Sequence, residues 1–327
     1  MDYTLLMEIL LDFEKPIYDL ESQIKKLEKQ NLDKDLGTES EIKILKEKAQ
    51  TLLSKTFEQL TSWQKVQLAR HPMRPHSLEY MNHLFDFYEE IHGDRRFSED
   101  ASILCGFAKR GNQKWAYIAI EKGRKTADKV KHNFGMVRPE GYRKSLRLME
   151  LAEKFSLPIL TLVDTPGAYP GIGAEERGQA LAIAENIQTM FKVKTPIISV
   201  VIGEGGSGGA LGIAVADKVF MQQHAIYSVI SPESCASILW SDPAKGEEAA
   251  ESLKIDAQMA QKLKVIDGII AEPIGGAHRN LEEAVNLLGK SIDKALVEIK
   301  KVKLEELLSQ RREKFRLMGN DFMVARK

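Results

Sequence analysis

The feature that most constrains this sequence is a run of glycines between an apolar segment and a segment of small and aliphatic residues. Residues 196–202 are mostly apolar and β-branched, residues 203–210 read Gly-Glu-Gly-Gly-Ser-Gly-Gly-Ala, and residues 211–216 are small or aliphatic. This pattern predicts a buried strand, a glycine turn and a tightly packed helix. Glycine is tolerated where the backbone comes close to another group, and free N–H groups at the start of a helix attract negative charge. The turn is therefore a candidate anion-binding site.

A second loop rich in glycine and proline comes earlier in the chain. Residues 158–164 predict a short apolar strand, residues 165–174 a loop, and residues 174–191 a helix. Two consecutive β–loop–α units thus each place a glycine-rich loop at the carboxyl end of a strand. Ligands of α/β folds bind at that edge of the sheet. We therefore expect an α/β fold with both loops at one site.

The rest of the chain predicts an alternation of helices and strands. Residues 13–27 carry apolar side chains in steps of four and three residues, which is typical of one packed helix face. Thr38 and Glu41 resemble a capping box at the start of the next helix. Further helices are expected at 42–70, 78–91, 142–155 and 281–316, and strands at 102–108, 115–121, 219–221, 225–228 and 265–270. The stretch from 123 to 136 is without periodicity.

Composition excludes some classes of protein. The 327 residues contain 47 Lys and Arg and 47 Asp and Glu, so the formal net charge is zero, which argues against a nucleic-acid partner. Cys105 and Cys235 lack metal-type spacing and suit a reducing compartment. No apolar run reaches the roughly 20 residues of a membrane span, and the N-terminus does not resemble a signal peptide. We expect a cytoplasmic protein without a membrane partner. Its basic C-terminal segment is interpreted as solvated surface or as a docking element for an acidic partner.

Two nucleotide-binding interpretations of the glycine turn fail on its flanking residues. Gly203, Gly205 and Gly208 have the spacing of a dinucleotide-binding fingerprint, which also requires an acid at the end of the next strand. That strand runs into residues 220–224, which contain no acid. A P-loop requires Lys followed by Ser or Thr after the glycines, and this pair is missing.

A serine hydrolase is an alternative that the spacing permits. Gly205, Ser207 and Gly209 match the nucleophile elbow of such enzymes. His224 and Asp267 would then be the base and its orienting acid. Nothing around His224 marks it as catalytic, and Ser207 is equally explained as a residue at the start of a helix. A serine hydrolase or protease of ClpP-like fold that uses Ser207 stays the alternative.

The remaining interpretation assigns no reactive side chain to the turn. The backbone N–H groups of Gly205 and Gly206 would form an oxyanion hole, which a flat ligand oxygen could approach because side chains are missing. This accounts for a turn without a cluster of acid, base and nucleophile. The substrates would supply the reacting groups, and the turn would stabilise an anion that forms during the reaction.

Several segments, taken in order, resemble one protein family. They extend over nearly the whole chain and include both loops: residues 11–17, 63–72, 91–95, 138–144, 164–171, 202–210, 227–233 and 235–240. As a set they resemble the carboxyltransferase alpha subunit of bacterial acetyl-CoA carboxylase, a member of the crotonase-like superfamily. Departures from the family pattern are minor, and none falls within the two loops.

The resemblance implies a fold and a division of the chain. The fold would be a crotonase/ClpP-like superhelix of stacked β-β-α units with helices added at both ends. Residues 1–39 would be an N-terminal helical region and residues 296–327 a helical basic tail. Residues 40–295 would form the carboxyltransferase domain, with a first helix at 40–70.

The resemblance also implies an activity and partners. The carboxyl group of carboxybiotin would be transferred to acetyl-CoA, giving malonyl-CoA for fatty acid synthesis. Biotin would be held by a biotin carboxyl carrier protein and carboxylated by an ATP-dependent biotin carboxylase. This chain itself would carry no biotin and bind no metal. A beta subunit of similar fold, with a zinc site and most of the acetyl-CoA site, would complete an α2β2 heterotetramer. Active sites would lie between the α and β subunits.

The resemblance gives each loop a role. The biotin nitrogen can take a proton from the acetyl methyl group, so no protein base is needed, but the ureido and enolate oxyanions both need donors. We expect Gly205 and Gly206 to supply one set of donors. The biotin path would be lined by small or aromatic residues of the second loop and by the serine of the turn: Gly167, Ala168, Tyr169, Gly171, Gly173 and Ser207. Which anion each loop binds stays open.

Basic residues near the loops have two interpretations each. Lys122, Arg124 and Lys125 directly follow a predicted strand and are either solvated surface or contacts to a phosphate or carboxylate. Arg177 begins the helix after the second loop and could orient a carboxyl group. It could instead pair with the adjacent acids at 175 and 176 or with the partner. A purely scaffolding chain is disfavoured, because a scaffold needs no pocket lined by backbone.

Overall fold

One mixed eight-stranded sheet forms the centre of the protein. The computed structural model describes residues 9–34 and 38–320. The strands are β1 Phe87–Glu90, β2 Ile103–Arg110, β3 Gln113–Ile120, β4 Ile159–Thr165, β5 Ile197–Gly206, β6 Lys218–Gln222, β7 Ile226–Ser228 and β8 Gly268–Ile270. Their order is β1-β2-β3-β4-β5-β6-β8, and β7 pairs with the carboxyl end of β5. β1 to β3 are antiparallel, and the other pairings are parallel.

Helices cover both faces of this sheet. They are α1 Lys15–Lys34, α2 Glu39–Glu58, α3 Ser62–Ala69, α4 Ser77–Leu84, α5 Thr126–Lys131, α6 Pro139–Lys154, α7 Ile172–Glu176, α8 Gln179–Met190, α9 Ser207–Ala214, α10 Pro232–Trp240, α11 Gly246–Leu253, α12 Ala257–Lys262, α13 Leu281–Ile299 and α14 Leu304–Leu317. On one face, α6, α8, α9 and α12 form a core with the sheet. On the other face, α4 and α13 do so.

The pattern at residues 196–216 folds as its sequence predicts. β5 is buried along nearly its whole length and is followed directly by α9. β4, its parallel neighbour, is buried throughout. Strands covered on both faces are continuously apolar, which is why these two segments are recognisable in the sequence. The stripe of the first helix is also confirmed, since Ile17 and Ile24 are buried in clusters shared with α2.

The helix predicted over 78–91 is wrong in its second half. α4 ends at Leu84, and residues 87–90 form the edge strand β1, paired antiparallel with β2. Burial alternates along β1, because its two faces differ in exposure. A segment of four residues carries too little periodicity to distinguish a strand from the continuation of a helix.

Other predicted helix boundaries also change. The predicted helix over 174–191 is interrupted before α8, where Gly178 has a φ of +78°, a conformation that glycine adopts readily. The helix predicted over 281–316 is interrupted between α13 and α14, and the stretch without periodicity contains α5. Thr38 precedes α2 without a capping hydrogen bond from its side chain, so the expected box with Glu41 is wrong. A capping box forms instead between Thr61 and Gln64, at the start of α3.

In its described part, up to residue 320, the basic C-terminal segment is docked on the core through Arg311 and Lys314 but is otherwise mostly exposed, so its interpretation as solvated surface is correct only in part. Arg311 is buried and donates to three backbone carbonyl groups and to Asp217 Oδ2, the last at 2.7 Å. Lys314 donates to Asp267 Oδ2 at 2.8 Å. The acidic partners of these two side chains therefore belong to the same chain. Within the described residues, no helix has the combination of length and apolar character that crossing a bilayer requires.

Candidate functional site

Two loops meet at the carboxyl edge of the sheet and together form the candidate site. The glycine turn, residues 203–209, consists of the last residues of β5 and the first residues of α9, and the proline loop, residues 166–173, runs from β4 into α7. A Cβ atom on Gly206 would overlap the backbone of Pro166, and one on Gly209 would overlap that of Gly167 and Ala168. The loops therefore pack backbone against backbone, which glycine alone permits at these positions.

The predicted donors Gly205 and Gly206 lie at the end of β5 and not in a free loop. Gly205 is buried and pairs with Thr165 of β4 and Tyr227 of β7, while Gly206 is half-buried and pairs only with β7. α9 then begins at Ser207, which is exposed. The first N–H groups of a helix have no acceptor within it, so backbone donors without a helical partner lie at this end of the turn.

Most glycines of the turn are explained by packing inside the protein. A Cβ atom on Gly203 would lie 2.5 Å from Asp164 Oδ1, and one on Gly205 would lie 2.7 Å from the ring of Tyr227. Gly208 differs, because the nearest atom to its missing Cβ is Ile183 Cδ1 at 4.0 Å. Gly208 is therefore the glycine of the turn that packing inside the protein does not explain.

A buried network of charges lies behind the glycine turn. Glu204 Oε1 accepts from Arg70 Nε and its Oε2 accepts from Lys122 Nζ, both at 2.6 Å. Lys122 also contacts Asp164 Oδ1 at 2.8 Å, and that oxygen accepts the backbone N–H of Glu204 at 2.9 Å. Burial alone would raise the pKa of Glu204, but Lys122 and Arg70 outweigh it and lower the pKa to about 2. Glu204 is therefore an ionised, paired carboxylate.

The sequence pattern does not predict this network. At Lys122 it predicts a solvated or ligand-binding side chain, whereas the ammonium group is largely buried against two carboxylates, and its pKa is raised because these charges outweigh burial. The sequence does contain one signal for this network, which is the position of Asp164 and Glu204. Both are charged residues at the ends of apolar, fully buried strands, where an acid is retained only if it is paired.

A cavity of about 260 Å³ adjoins the network and reaches the proline loop. Its lining includes the basic residues Arg70, Lys122 and Lys129 together with Phe134 and Pro166. Cavities with an apolar wall and a few polar groups are typical of small-molecule sites. This one opens beside the glycine turn.

The proline loop divides into two parts. Gly167 and Ala168 pack on the glycine turn, and Gly167 is held by the hydroxyl of Thr165, which accepts its N–H at 3.0 Å. Tyr169 turns away, with its ring 5.0 Å from the guanidinium of Arg138. A Cβ on Gly171 would lie 2.5 Å from that ring, and one on Gly173 would lie 3.1 Å from Arg177 Nη1. The first part of the loop is thus the part directly joined to the glycine turn.

Arg124 and Arg177 are both held by protein partners. Arg124 donates to the carbonyl oxygens of Pro72 at 2.6 Å and Arg74 at 3.0 Å, and it also contacts Glu79. The guanidinium of Arg177 forms two hydrogen bonds to Glu140, at 2.9 and 3.1 Å, and lies 4.6 Å from the ring of Phe97.

These contacts change the interpretation of both arginines. The described ion-pair partner of Arg177 is Glu140, and not the adjacent Glu175 or Glu176. Arg124 ties its own segment to the one that precedes α4, so it is neither free surface nor an unpaired anion site. Both side chains support the loops around the site.

The geometry excludes the serine hydrolase alternative. His224 is buried, its backbone N–H donates to Glu272, and its ring packs against Phe57 at 5.8 Å between centroids. Asp267 accepts the backbone N–H of Val219 at 2.7 Å, at the start of β6, whereas Ser207 follows the carboxyl end of β5. β5 and β6 are parallel neighbours, so Asp267 lies near the amino ends of these strands and Ser207 lies at the carboxyl end of β5.

The cluster of Glu14, His71 and His278 has the side chains of a metal site, and its three side chains contact one another directly. His278 Nε2 lies 2.8 Å from Glu14 Oε1, and His71 Nε2 lies 3.5 Å from Glu14 Oε2. The N–H of Met73 donates to His71 Nδ1 at 3.0 Å, so the proton of this neutral ring is on Nε2, facing the carboxylate. A metal ligand needs the lone pair that this proton occupies.

Solved structures of similar fold are carboxyltransferases and a related decarboxylase. A chain of a Pseudomonas malonate decarboxylase hetero-tetramer, solved with coenzyme A, has a TM-score of 0.55 at 16% identity, over 71% of this chain and 90% of that chain. The beta subunit of geranyl-CoA carboxylase from P. aeruginosa has a TM-score of 0.52 at 17% identity, over 72% of this chain and 44% of that chain. The fold is thus that of the crotonase-like carboxyltransferases, as the sequence predicts.

Sequence comparisons identify the family. Residues 10–319 match the family described as acetyl co-enzyme A carboxylase carboxyltransferase-like. A relative from Agrobacterium fabrum (strain C58), named acetyl-coenzyme A carboxylase carboxyl transferase subunit alpha, is 50% identical over 316 residues, which are 96% of this chain and 100% of the relative. A relative of the same name from Vesicomyosocius okutanii is 52% identical over 308 residues, 93% of this chain and 96% of that one. The chain belongs to the acetyl-CoA carboxylase carboxyltransferase alpha-subunit family, which confirms the expected family and enzyme class.

Proposed function

We propose that this chain, together with a beta subunit, transfers a carboxyl group from carboxybiotin to acetyl-CoA and so produces malonyl-CoA for fatty acid synthesis. The observation that carries the proposal is the packing of the glycine turn on the proline loop. This packing presents backbone donors at the carboxyl edge of the sheet without a nucleophile and its base. Relatives named for this activity are half identical to the chain over nearly its whole length.

The glycine turn fits a flat polar ring such as that of biotin. When bound, biotin supplies a ring nitrogen that carries the carboxyl group and can accept a proton. Gly208 leaves the outer surface of the turn open, and the N–H groups at Gly205, Gly206 and the start of α9 act as donors to an oxygen that becomes negative. Loss of one such donor typically costs about 10²–10³ in rate. The pairing of Glu204 with Arg70 and Lys122 keeps its charge from opposing the developing anion.

The proline loop supplies the rest of the biotin path. Gly167 and Ala168 form its wall beside the glycine turn, Ser207 borders it, and Tyr169, Gly171 and Gly173 form its outer part. Arg124 and Arg177 contribute by holding the surrounding segments, since their guanidinium groups are already engaged. We also propose that each subunit supplies the donors for one of the two oxyanions, the ureido oxygen of biotin and the enolate oxygen of acetyl-CoA.

The proposal includes an assembly. A beta subunit would bring the zinc site and most of the acetyl-CoA site, within an α2β2 heterotetramer. The biotin carboxyl carrier protein and the biotin carboxylase would be the further partners, in the cytoplasm. The word alpha in the relatives' names and the hetero-tetrameric assembly of the malonate decarboxylase support a multi-subunit enzyme. Both cysteines of the chain are free, which suits a reducing compartment.

Reconstitution tests the proposal. The purified chain and a beta subunit of the same family are assayed separately and together, by malonyl-CoA-dependent carboxylation of free biotin. We expect each chain alone to be inactive and the mixture to be active. An inactive mixture that forms a stable complex would refute the assigned reaction. Hydrolysis of an ester or peptide by the isolated chain would support a different activity.

A further inference from the structure

Arg70 joins two acidic side chains that belong to different elements of the fold, β5 and α10. It is the C-cap residue of α3, and its Nε donates to Glu204 Oε1 while its Nη1 donates to Glu233 Oε1, both at 2.6 Å. Glu204 directly precedes Gly205 in β5, and Glu233 lies in the first turn of α10. One guanidinium thus connects the strand that ends in the glycine turn with the helix that faces this turn.

The space between these two elements is narrow. Gly205 and Gly206 form one wall of a cavity of about 20 Å³, and residues 230–232, at the start of α10, form another. Arg70 and Glu204 also line it. A small displacement of α10 therefore changes how much of the glycine turn is accessible to a ligand.

Apolar packing holds α10 in place only weakly. Its buried residues are Pro232 and Ala236, whereas the large side chains of Ile238 and Leu239 are mostly exposed. Burial of apolar surface is the main term that fixes a helix on its domain, and here that surface is small. The ion pair of Glu233 with Arg70 adds a directed contact that apolar packing does not supply.

The chemistry of arginine suits this bridging position. Its planar guanidinium presents donors in fixed directions, so one side chain can bind two carboxylates at once. Glu204 cannot follow α10, because Lys122 holds its other oxygen at 2.6 Å and Asp164 accepts its backbone N–H. The anchor of Arg70 is therefore on the sheet, and the element that it positions is α10.

We propose that Arg70 is a positioning residue for carboxyl transfer, which fixes α10 against the glycine turn by holding Glu204 and Glu233 together. The proposal rests on the proposed function for the reaction that is affected. Arg70 acts through the two carboxylates and not on the reacting atoms. Without the bridge, α10 is free to move. The space between α10 and the backbone of Gly205 and Gly206 then varies in width.

Hydrogen–deuterium exchange of the assembled α–β complex tests the structural half of this proposal. Arg70→Gln removes the bridge, and Glu233→Gln weakens only its α10 side. Lys65→Gln is the matched control on α3, because Lys65 pairs with Asp256 at 3.3 Å and contacts neither carboxylate. We expect exchange in residues 230–240 to rise by about tenfold in Arg70→Gln, less in Glu233→Gln, and not in Lys65→Gln.

Carboxyl-transfer kinetics test the functional half. We expect Arg70→Gln to lower kcat by about 10²-fold, because small misplacements of a site cost that much, with KM for malonyl-CoA within about twofold. Glu233→Gln is expected to lose about tenfold, Arg70→Lys to recover part of the loss, and the double variant to be no slower than Arg70→Gln. A purely structural role would instead lower the melting temperature and the active fraction in proportion.

Two results would overturn the proposal. One is unchanged exchange of residues 230–240 in Arg70→Gln, and the other is independent, multiplying rate losses in the double variant. If the unmodified complex transfers no carboxyl group, the proposed function fails. The exchange experiment still decides in that case whether Arg70 fixes α10.

Discussion

The carbonyl group of Pro166 occupies the space that a Cβ atom on Gly206 would need. Pro166 is the first residue of the proline loop and Gly206 lies within the glycine turn, so the contact sets the distance between the two loops. Glycine at position 206 is thus required by the packing of the two loops, whatever ligand they bind. At Gly208, by contrast, a Cβ would overlap no atom, since the nearest one is Ile183 Cδ1 at 4.0 Å. The two glycines can therefore be used to separate packing from ligand access.

Gly206→Ala is expected to reduce both stability and transfer. Forcing a methyl group into a closed contact typically costs about 1–3 kcal/mol, and displacement of the turn misplaces its donors. We expect a lower midpoint of urea unfolding and a loss of carboxyl transfer of about 10²-fold. Both are measured on the α–β complex, with the unmodified chain as reference. Unchanged stability would show that the loops do not pack as described.

Gly208→Ala is expected to reduce transfer without destabilising the protein. The added methyl group meets no protein atom closer than 4.0 Å, and alanine favours the helical first turn more than glycine does. Stability should stay constant or rise by up to about 1 kcal/mol, while the methyl group obstructs a ligand at the outer surface. Thermal unfolding and the transfer assay measure the two effects. Full activity in this variant would exclude the surface at Gly208 as a ligand contact.

Ser207→Ala distinguishes a bordering hydroxyl from a nucleophile. Ser207 is exposed and has a φ of +54°, and the geometry places neither His224 nor Asp267 beside it. Loss of one hydrogen bond at a substrate would cost up to about tenfold in rate, whereas loss of a nucleophile costs about 10⁶. We expect the smaller effect in the carboxyl-transfer assay. Ser207→Gly, which relieves the left-handed conformation, should behave alike and be no less stable.

The core of the site could be predicted because its sequence signals are local. A buried parallel strand is continuously apolar, and β5 ends in the glycine-rich residues that lead into α9, so both loops and the edge that they share are visible in the sequence. The reason why glycine is required at each position of the turn cannot be predicted from the sequence. The contacts of Gly206 and Gly209 are with residues of the other loop, which a local pattern does not contain.

The charged network could not be predicted for the same reason. Arg70, Lys122 and Glu204 come from separate elements, and only the fold brings them within hydrogen-bond distance. A lysine that follows a strand looks like surface in the sequence, since burial of its charge depends on distant carboxylates. Arg311 is a second case, where a basic helix that looks solvated carries one buried guanidinium.

Arg311→Leu is expected to destabilise the protein strongly. The buried guanidinium is bound to Asp217 and to three backbone carbonyl groups, so its removal takes away the ion-pair partner of a buried carboxylate and the side-chain donor to these carbonyl groups. Breaking such a pair costs about 3–5 kcal/mol. Arg316→Leu on the same helix is the control, because Arg316 is exposed and its loss should cost less than about 0.5 kcal/mol. Equal shifts of the urea midpoint in both variants would contradict the docking of α14.

Histidines buried in the neutral form give the protein a predicted sensitivity to acid. Burial lowers the pKa of His224 from 6.5 to about 4, and Arg74 adds to this effect, while Glu272 opposes it. The pKa of His71 is lowered to about 4 as well, mainly by burial. Because the unfolded chain binds these protons first, stability is complete above pH 6.5 and falls as the pH drops toward 4.

His224→Phe is expected to make this loss shallower. The phenyl ring can keep the packing against Phe57 but cannot bind a proton, so up to roughly 3 kcal/mol of the loss between about pH 6.5 and 4 should disappear. The free energy of urea unfolding, measured in steps over this range, gives the slope for each protein. The unmodified chain, measured over the same range, serves as the reference. If His224→Phe also keeps that slope, the imidazole of His224 is not held neutral by its burial.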